Sequence, residues 1–182
     1  KFTPDKIFIV TELDDAINFF SEDISNEKNN YYVPQIFYYF STNKITSNFQ
    51  YVHGNDLNLL VNRANNMSLY GEKTDKNEFV ISGEVPAKPG SEIWNNPEKS
   101  LNSVWNELNL MGLVSKNQKF SNYEIFKLEK TFSLPKINFL KTKNKLEDMI
   151  SEKFNGKILM PGLGEITRNN FILSLKKNLG EH

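Results

Sequence analysis

Cysteine is absent from the 182 residues, so disulfides, thiolate metal sites and a thiol nucleophile are all excluded. Histidine is nearly absent. With only His53 and His182, a two-histidine metal site would need the last residue of the chain, and a Ser-His-Asp triad would have to use His53. Arginine occurs only at Arg63 and Arg168. Neither sign of charge dominates: 22 Lys+Arg balance 22 Asp+Glu, so no general attraction to nucleic acid or to an anionic membrane follows. No window holds the roughly 20 apolar residues that a membrane-crossing helix needs. No charged-then-apolar leader stands at the start, and the first residue, Lys rather than Met, points to an excised domain or a processed product.

What is present reads as alternating strands and helices. Ile7-Phe8-Ile9-Val10 has the texture of a buried strand, and Thr11 with Asp14 is close to a capping box for a helix whose face is Leu13, Ile17, Phe20 and Ile24. Tyr31 to Ser41 is aromatic and branched throughout, which favours a strand, with Pro34 requiring an edge or irregular position. Asn48 to His53 is expected to pair with it through a turn at Thr42 to Thr46. Beyond Gly54 the spacing of Leu57, Leu60, Val61 and Ala64 predicts a helix, and a loop then runs from Asn65 to Lys76. Phe79 to Ile81 and Ile93-Trp94 read as short strands. Asn96-Pro97 heads a helix with Leu101, Val104, Trp105, Leu108 and Met111 on one face, closed by Gly112. Tyr123 to Phe132 alternates as a strand. Leu146, Met149, Ile150 and Phe154 mark a helix, Lys157 to Met160 a strand, and Phe171 to Leu179 a terminal helix.

The fold expected is therefore α+β, a mixed and mainly antiparallel sheet, split or continuous, with helices packed around it. The length suits a single domain over 1–182. A change in texture near Pro97 offers the one subdivision, with a core over 1–96 and a helical and strand extension over 97–182.

Two short pieces carry a resemblance. Phe8-Ile9-Val10-Thr11, followed by Ala16 and Phe19-Phe20, resembles the Ser-Thr-Ser strand and helix of the mono-ADP-ribosyltransferase toxins of the enterotoxin A-subunit type. Lys76-Asn77-Glu78-Phe79-Val80 is similar to that family's Glu/Gln-x-Glu turn entering a strand, and Val85-Pro86 through Ile93-Trp94 is similar to the family's next segment. The resemblance covers roughly residues 7 to 95. It implies a bacterial toxin or effector domain, secreted or delivered to a host, that uses NAD as substrate and a host protein as acceptor. Glu78 would be the catalytic carboxylate, stabilising the positive charge that develops as nicotinamide leaves, with Thr11 and Lys76 at the NAD-contacting positions. The departures are Lys76 in place of the family's Glu or Gln, Ile9 and Val10 in place of two hydroxyls, and no arginine in the six residues before Ile7. They leave open a truncated or an inactive relative.

The remaining clusters read as structure. His53-Gly54-Asn55-Asp56 is a turn closing a strand and opening a helix. Met160-Pro161-Gly162-Leu163-Gly164-Glu165 lacks the lysine and hydroxyl of a phosphate-binding loop and is a turn. Asp14, Asp15, Glu22 and Asp23 form a solvated helix face without a calcium-loop pattern, so no metal is expected. The aromatics from Tyr31 to Tyr51 are sheet core, not a base-stacking platform, because arginine and excess positive charge are lacking. If exposed, they make the alternative function a non-enzymatic protein-binding module of a secreted effector or toxin.

Overall fold

The computed structural model describes residues 4–20, 29–71 and 78–160. The terminal helix expected at Phe171 to Leu179, most of the Met160 to Glu165 turn, Ile24 and Lys76 lie outside the described residues. The architecture is α+β, with a mostly antiparallel five-stranded sheet and a small parallel pair.

The chain forms two compact units, residues 1–31 with 133–182, and residues 32–132. The texture change at Pro97 marks no boundary between them, since Pro97 lies inside the second unit at the head of a 3-10 turn that leads into a helix.

In the first unit, β1 (Ile7–Phe8) pairs in parallel with β7 (Ile158–Leu159). The helix α1 (Leu13–Phe20) shares an apolar cluster with α4 (Phe139–Phe154), built from Leu13, Ala16 and Ile17 against Phe139, Leu146 and Ile150. The helical spacing read from the sequence accounts for both faces. α4 stops where Asn155 and Gly156 both take positive φ, and the N–H of each returns to the Ser151 carbonyl.

In the second unit the sheet order is β3 (Tyr51–His53), β4 (Arg63–Asn66), β5 (Phe79–Pro86), β2 (Asn30–Thr42) and β6 (Asn122–Pro135). The long aromatic strand β2 is interior. Its hydrogen-bonded register with β5 starts at Gln35 opposite Pro86, one residue after Pro34. On the β5 side, therefore, the missing N–H falls before the ladder begins.

Four expectations fail in this unit, one of them the loop from Asn65, since Asn65 and Asn66 close β4 and Met67–Leu69 form a 3-10 turn. The strand Tyr51–His53 pairs with β4 and not with β2, whose neighbours are β5 and β6. The segment after Gly54 is a turn-rich loop leading into β4, not a helix. Leu57 is fully exposed there, whereas Val61 and Ala64 are buried in the sheet core, so the four apolar residues do not share one helical face. Polar groups hold the loop instead. The Asp56 carboxylate accepts the Asn58 N–H at 2.9 Å, and the Glu107 carboxylate accepts the N–H groups of Leu60 and Val61 at 3.1 and 2.8 Å. The Gly54 N–H donates to the Asn62 carbonyl, and a Cβ on Gly54 would collide with the Val61 carbonyl oxygen. Similarly, Ile93-Trp94 is not a strand but part of the one-turn helix α2 (Glu92–Asn95), capped by the Ser91 hydroxyl.

The helix α3 (Leu101–Leu110) covers one face of the sheet. Val104, Trp105 and Leu108 are buried against Ile36, Tyr38, Phe40, Ile81 and Val85. Phe40, Trp105 and Phe120 form a triangle of rings with centroids 5.1 to 5.3 Å apart. Gly83, in the middle of β5, lets the helix approach: a Cβ there would sit 3.1 Å from Val104 Cγ1.

Candidate functional site

Strand residues alternate between faces, so the neighbours of the core residues in sequence point the other way. On β2 these are Gln35, Phe37, Tyr39 and Ser41. Paired with them on β5 are Pro86, Glu84, Ser82 and Val80, and paired in turn on β4 are Arg63 opposite Glu84 and Asn65 opposite Ser82. This second face is unlike the first. It carries a connected polar row in the middle of the sheet.

The row converges on one carboxylate oxygen. Glu84 Oε1 accepts from Arg63 Nε at 2.8 Å and from Asn65 Nδ2 at 3.0 Å, and Arg63 Nη2 lies 2.6 Å away. Asn65 Nδ2 also donates to Ser82 Oγ at 3.1 Å. Glu84, Ser82 and Asn65 are buried, whereas the Arg63 side chain keeps 35% exposure and passes over the ring of Phe132, 5.9 Å from its centroid. Among the described residues Oε2 of Glu84 has no partner, nor has either amide atom of Gln35, which is fully buried diagonally from Glu84 on the same face. An unsatisfied buried amide costs about 1–3 kcal/mol. Three such atoms on one face are an expense that the fold alone does not explain.

Beside the row lies a cavity of about 310 Å³, lined by Tyr39, Tyr123, Phe126, Glu124, Asn122 and Ser41 among others. Tyr39 and Phe126 meet edge to face, centroids 5.8 Å apart at 81°. Burial, and after it the Glu84 charge, push the Tyr39 phenol above its usual pKa, so this hydroxyl stays protonated at neutral pH.

Glu78 is partly buried at the head of β5, and its carboxylate accepts from the Ser121 hydroxyl at 2.6 Å, next to the Asn122 that lines the cavity. Thr11 lies in the first unit, in the bend between β1 and α1. β1 pairs with β7 in one sheet and β5 with β2 and β4 in another, so Thr11 and Glu78 do not lie on adjoining strands. Lys76 is outside the described residues. Of the aromatics between Tyr31 and Tyr51, Tyr38 and Phe40 are core, whereas Tyr31 and Tyr51 are exposed. Among the described residues no group of three His, Asp or Glu could hold a metal ion, and no helix is long and apolar enough to cross a membrane.

No family model and no curated protein matches the chain. Among solved structures it is similar to a reduced UDP-galactopyranose mutase, at a TM-score of 0.64 and 11% identity over 98% of this chain. It is also similar to a proposed protoporphyrinogen oxidase from Exiguobacterium sp. 255-15, at a TM-score of 0.58 and 7% identity over 97% of this chain. The chain spans 42% of the length of each. At these identities the likeness shows a shared fold.

Sequence reasoning passed over Gln35, Arg63, Ser82 and Glu84. Their signal was available in Ile81-Ser82-Gly83-Glu84-Val85, where polar residues recur with period two inside an apolar strand.

Proposed function

We propose that the chain is the substrate-holding part of a larger redox enzyme, and that the polar face of its five-stranded sheet is the wall against which the substrate lies. The observation that carries this reading is the buried polar face itself, on which Gln35 and one oxygen of Glu84 have no partner among the described residues. A sheet face kept polar and under-satisfied is suited to completing its hydrogen bonds with a ligand. The fold likeness supports it. One similar protein is a mutase studied in a reduced state and the other is named as an oxidase, and they act by name on very different compounds. A part common to both serves binding more readily than one fixed chemistry.

The test is thermal unfolding of the full chain with UDP-galactose, UDP, protoporphyrin IX and NAD, for the wild type and for Gln35→Leu. Removing an unsatisfied amide should leave the melting temperature unchanged or raised. It should also abolish the rise produced by whichever compound binds. A Gln35→Leu variant that is clearly less stable, or a ligand shift that survives it, overturns the assignment. A shift produced by NAD and lost in Glu78→Gln would favour the ADP-ribosyltransferase reading instead.

A further inference from the structure

The cavity beside the polar row has a composition of its own. Two of its walls are the rings of Tyr39 and Phe126, set nearly at right angles. Its charge comes from Glu124, and no lysine or arginine is among its lining residues. Glu124 takes part in no ion pair among the described residues, and a second carboxylate, Glu78, is held to Ser121 one residue before the lining Asn122. The nearby basic side chains are committed elsewhere: the Lys127 ammonium donates to the Trp94 carbonyl, and that of Lys130 lies 4.9 Å from the Tyr32 ring centroid.

The electrostatics of such a lining favour one sign of ligand. Aromatic faces present the negative part of the ring quadrupole, and perpendicular rings offer a corner in which a cation touches one face while packing on the edge of the next. The carboxylate adds net negative potential. A phosphate or carboxylate ligand would meet no counter-charge here. An uncharged apolar ring would gain the area but leave Glu124 unused. The volume, about 310 Å³, is at the small end for ligand pockets, which run from about 300 to 1,000 Å³.

We infer that the cavity formed by Tyr39, Phe126 and Glu124 binds a small organic ammonium ion, the cationic group lying in the aromatic corner and facing the Glu124 carboxylate. This rests on the reading of the same sheet face as a substrate wall and adds the chemical class of the group held at its end.

Choline and its neutral carbon isostere, 3,3-dimethylbutan-1-ol, separate charge from shape. Each is titrated into the full chain and followed by amide and aromatic NMR shifts. Choline should give saturable shifts at Tyr39 and Phe126, and the isostere should bind about tenfold more weakly, the value of a partly desolvated cation–π contact. Glu124→Gln and Phe126→Leu, both at exposed positions, should each weaken choline several-fold without lowering the melting temperature. Equal binding of the isostere, unchanged affinity in Glu124→Gln, or no saturable shift overturns the inference. If choline fails while a compound still stabilises the wild type and not Gln35→Leu, only the ammonium class is wrong. If both fail, the substrate wall falls with it.

Discussion

Arg63 and Glu84 face each other across β4 and β5, with the guanidinium Nε and Nη2 at 2.8 and 2.6 Å from the same carboxylate oxygen. Their burial is unequal, with 35% of the arginine side chain exposed and only 4% of the glutamate. The arginine can be hydrated without its partner, and the glutamate cannot. Arg63→Met should therefore destabilise the chain by about 3–5 kcal/mol, as when one partner is removed from a buried pair. Glu84→Gln keeps an acceptor for Arg63 and Asn65 and should cost about 1–2 kcal/mol. Urea unfolding of the two variants checks the order, and equal losses would mean that the pair is effectively at the surface.

Gly83 stands where α3 crosses the sheet. Replacing glycine by alanine in a permissive strand gains about 0.4–1 kcal/mol through the unfolded chain, but here the new methyl would meet Val104 Cγ1 at 3.1 Å and both Leu108 and Val61 at 3.4 Å. Crowding should win, and Gly83→Ala should lose about 1–2 kcal/mol. Val104→Ala on its own leaves a cavity. The double variant should be more stable than the sum of the two losses predicts, because the added methyl fills the space that the valine vacates. Thermal unfolding of the three variants checks this, and strictly additive losses would show that the two side chains do not meet.

Glu107 ties α3 to the loop before β4 through the N–H groups of Leu60 and Val61. Glu107→Ala should leave both donors without their carboxylate and cost about 1–3 kcal/mol. Amide exchange should speed up at Leu60 and Val61 far more than within α3. Protection unchanged at those two amides would show that the loop is held by something else.

Periodicity made most of the fold legible. α1, α3 and α4 bury side chains that their spacing marks, β2 forms where its aromatic and branched composition predicts, β6 where its alternation does, and Gly112 and Pro97 punctuate the chain as their chemistry demands. The loop at 54–62 was not legible, because Leu57, Leu60 and Val61 mimic a helical face while the segment is held by Asp56 and Glu107, one of them from a distant helix. Pairing of β3 with β4 was hidden for the same reason: it depends on where β5 puts its edge, not on the nearest turn. At the candidate site, Glu78 drew attention as a lone carboxylate before an apolar run. Six residues on, Glu84 gathers a buried network that only cross-strand register reveals, joining residues 19 and 21 positions apart in the chain.

Tyr38 supplies a pH test of the packing behind that site. It is fully buried, and its hydroxyl donates to the Pro97 carbonyl at 3.0 Å. Burial chiefly, with the Glu98 charge adding and the Ser100 hydroxyl opposing, pushes its pKa from 10.0 up to about 12. The protonated phenol is thus favoured by the folded state. Below the unfolded value of 10.0 the phenol is protonated in both states and its contribution is fully present. Between that value and about 12 the unfolded chain loses the proton first, so stability falls with pH by about 1.4 kcal/mol per unit, roughly 3 kcal/mol in all. Tyr38→Phe removes this slope while losing one hydrogen bond, so it should be less stable by about 1 kcal/mol at pH 7. Because its stability falls less steeply above pH 10, the two proteins should converge and then cross. Chemical unfolding at half-unit steps from pH 9 to 12 checks it, and parallel curves would show that Tyr38 ionises without leaving its place against α3.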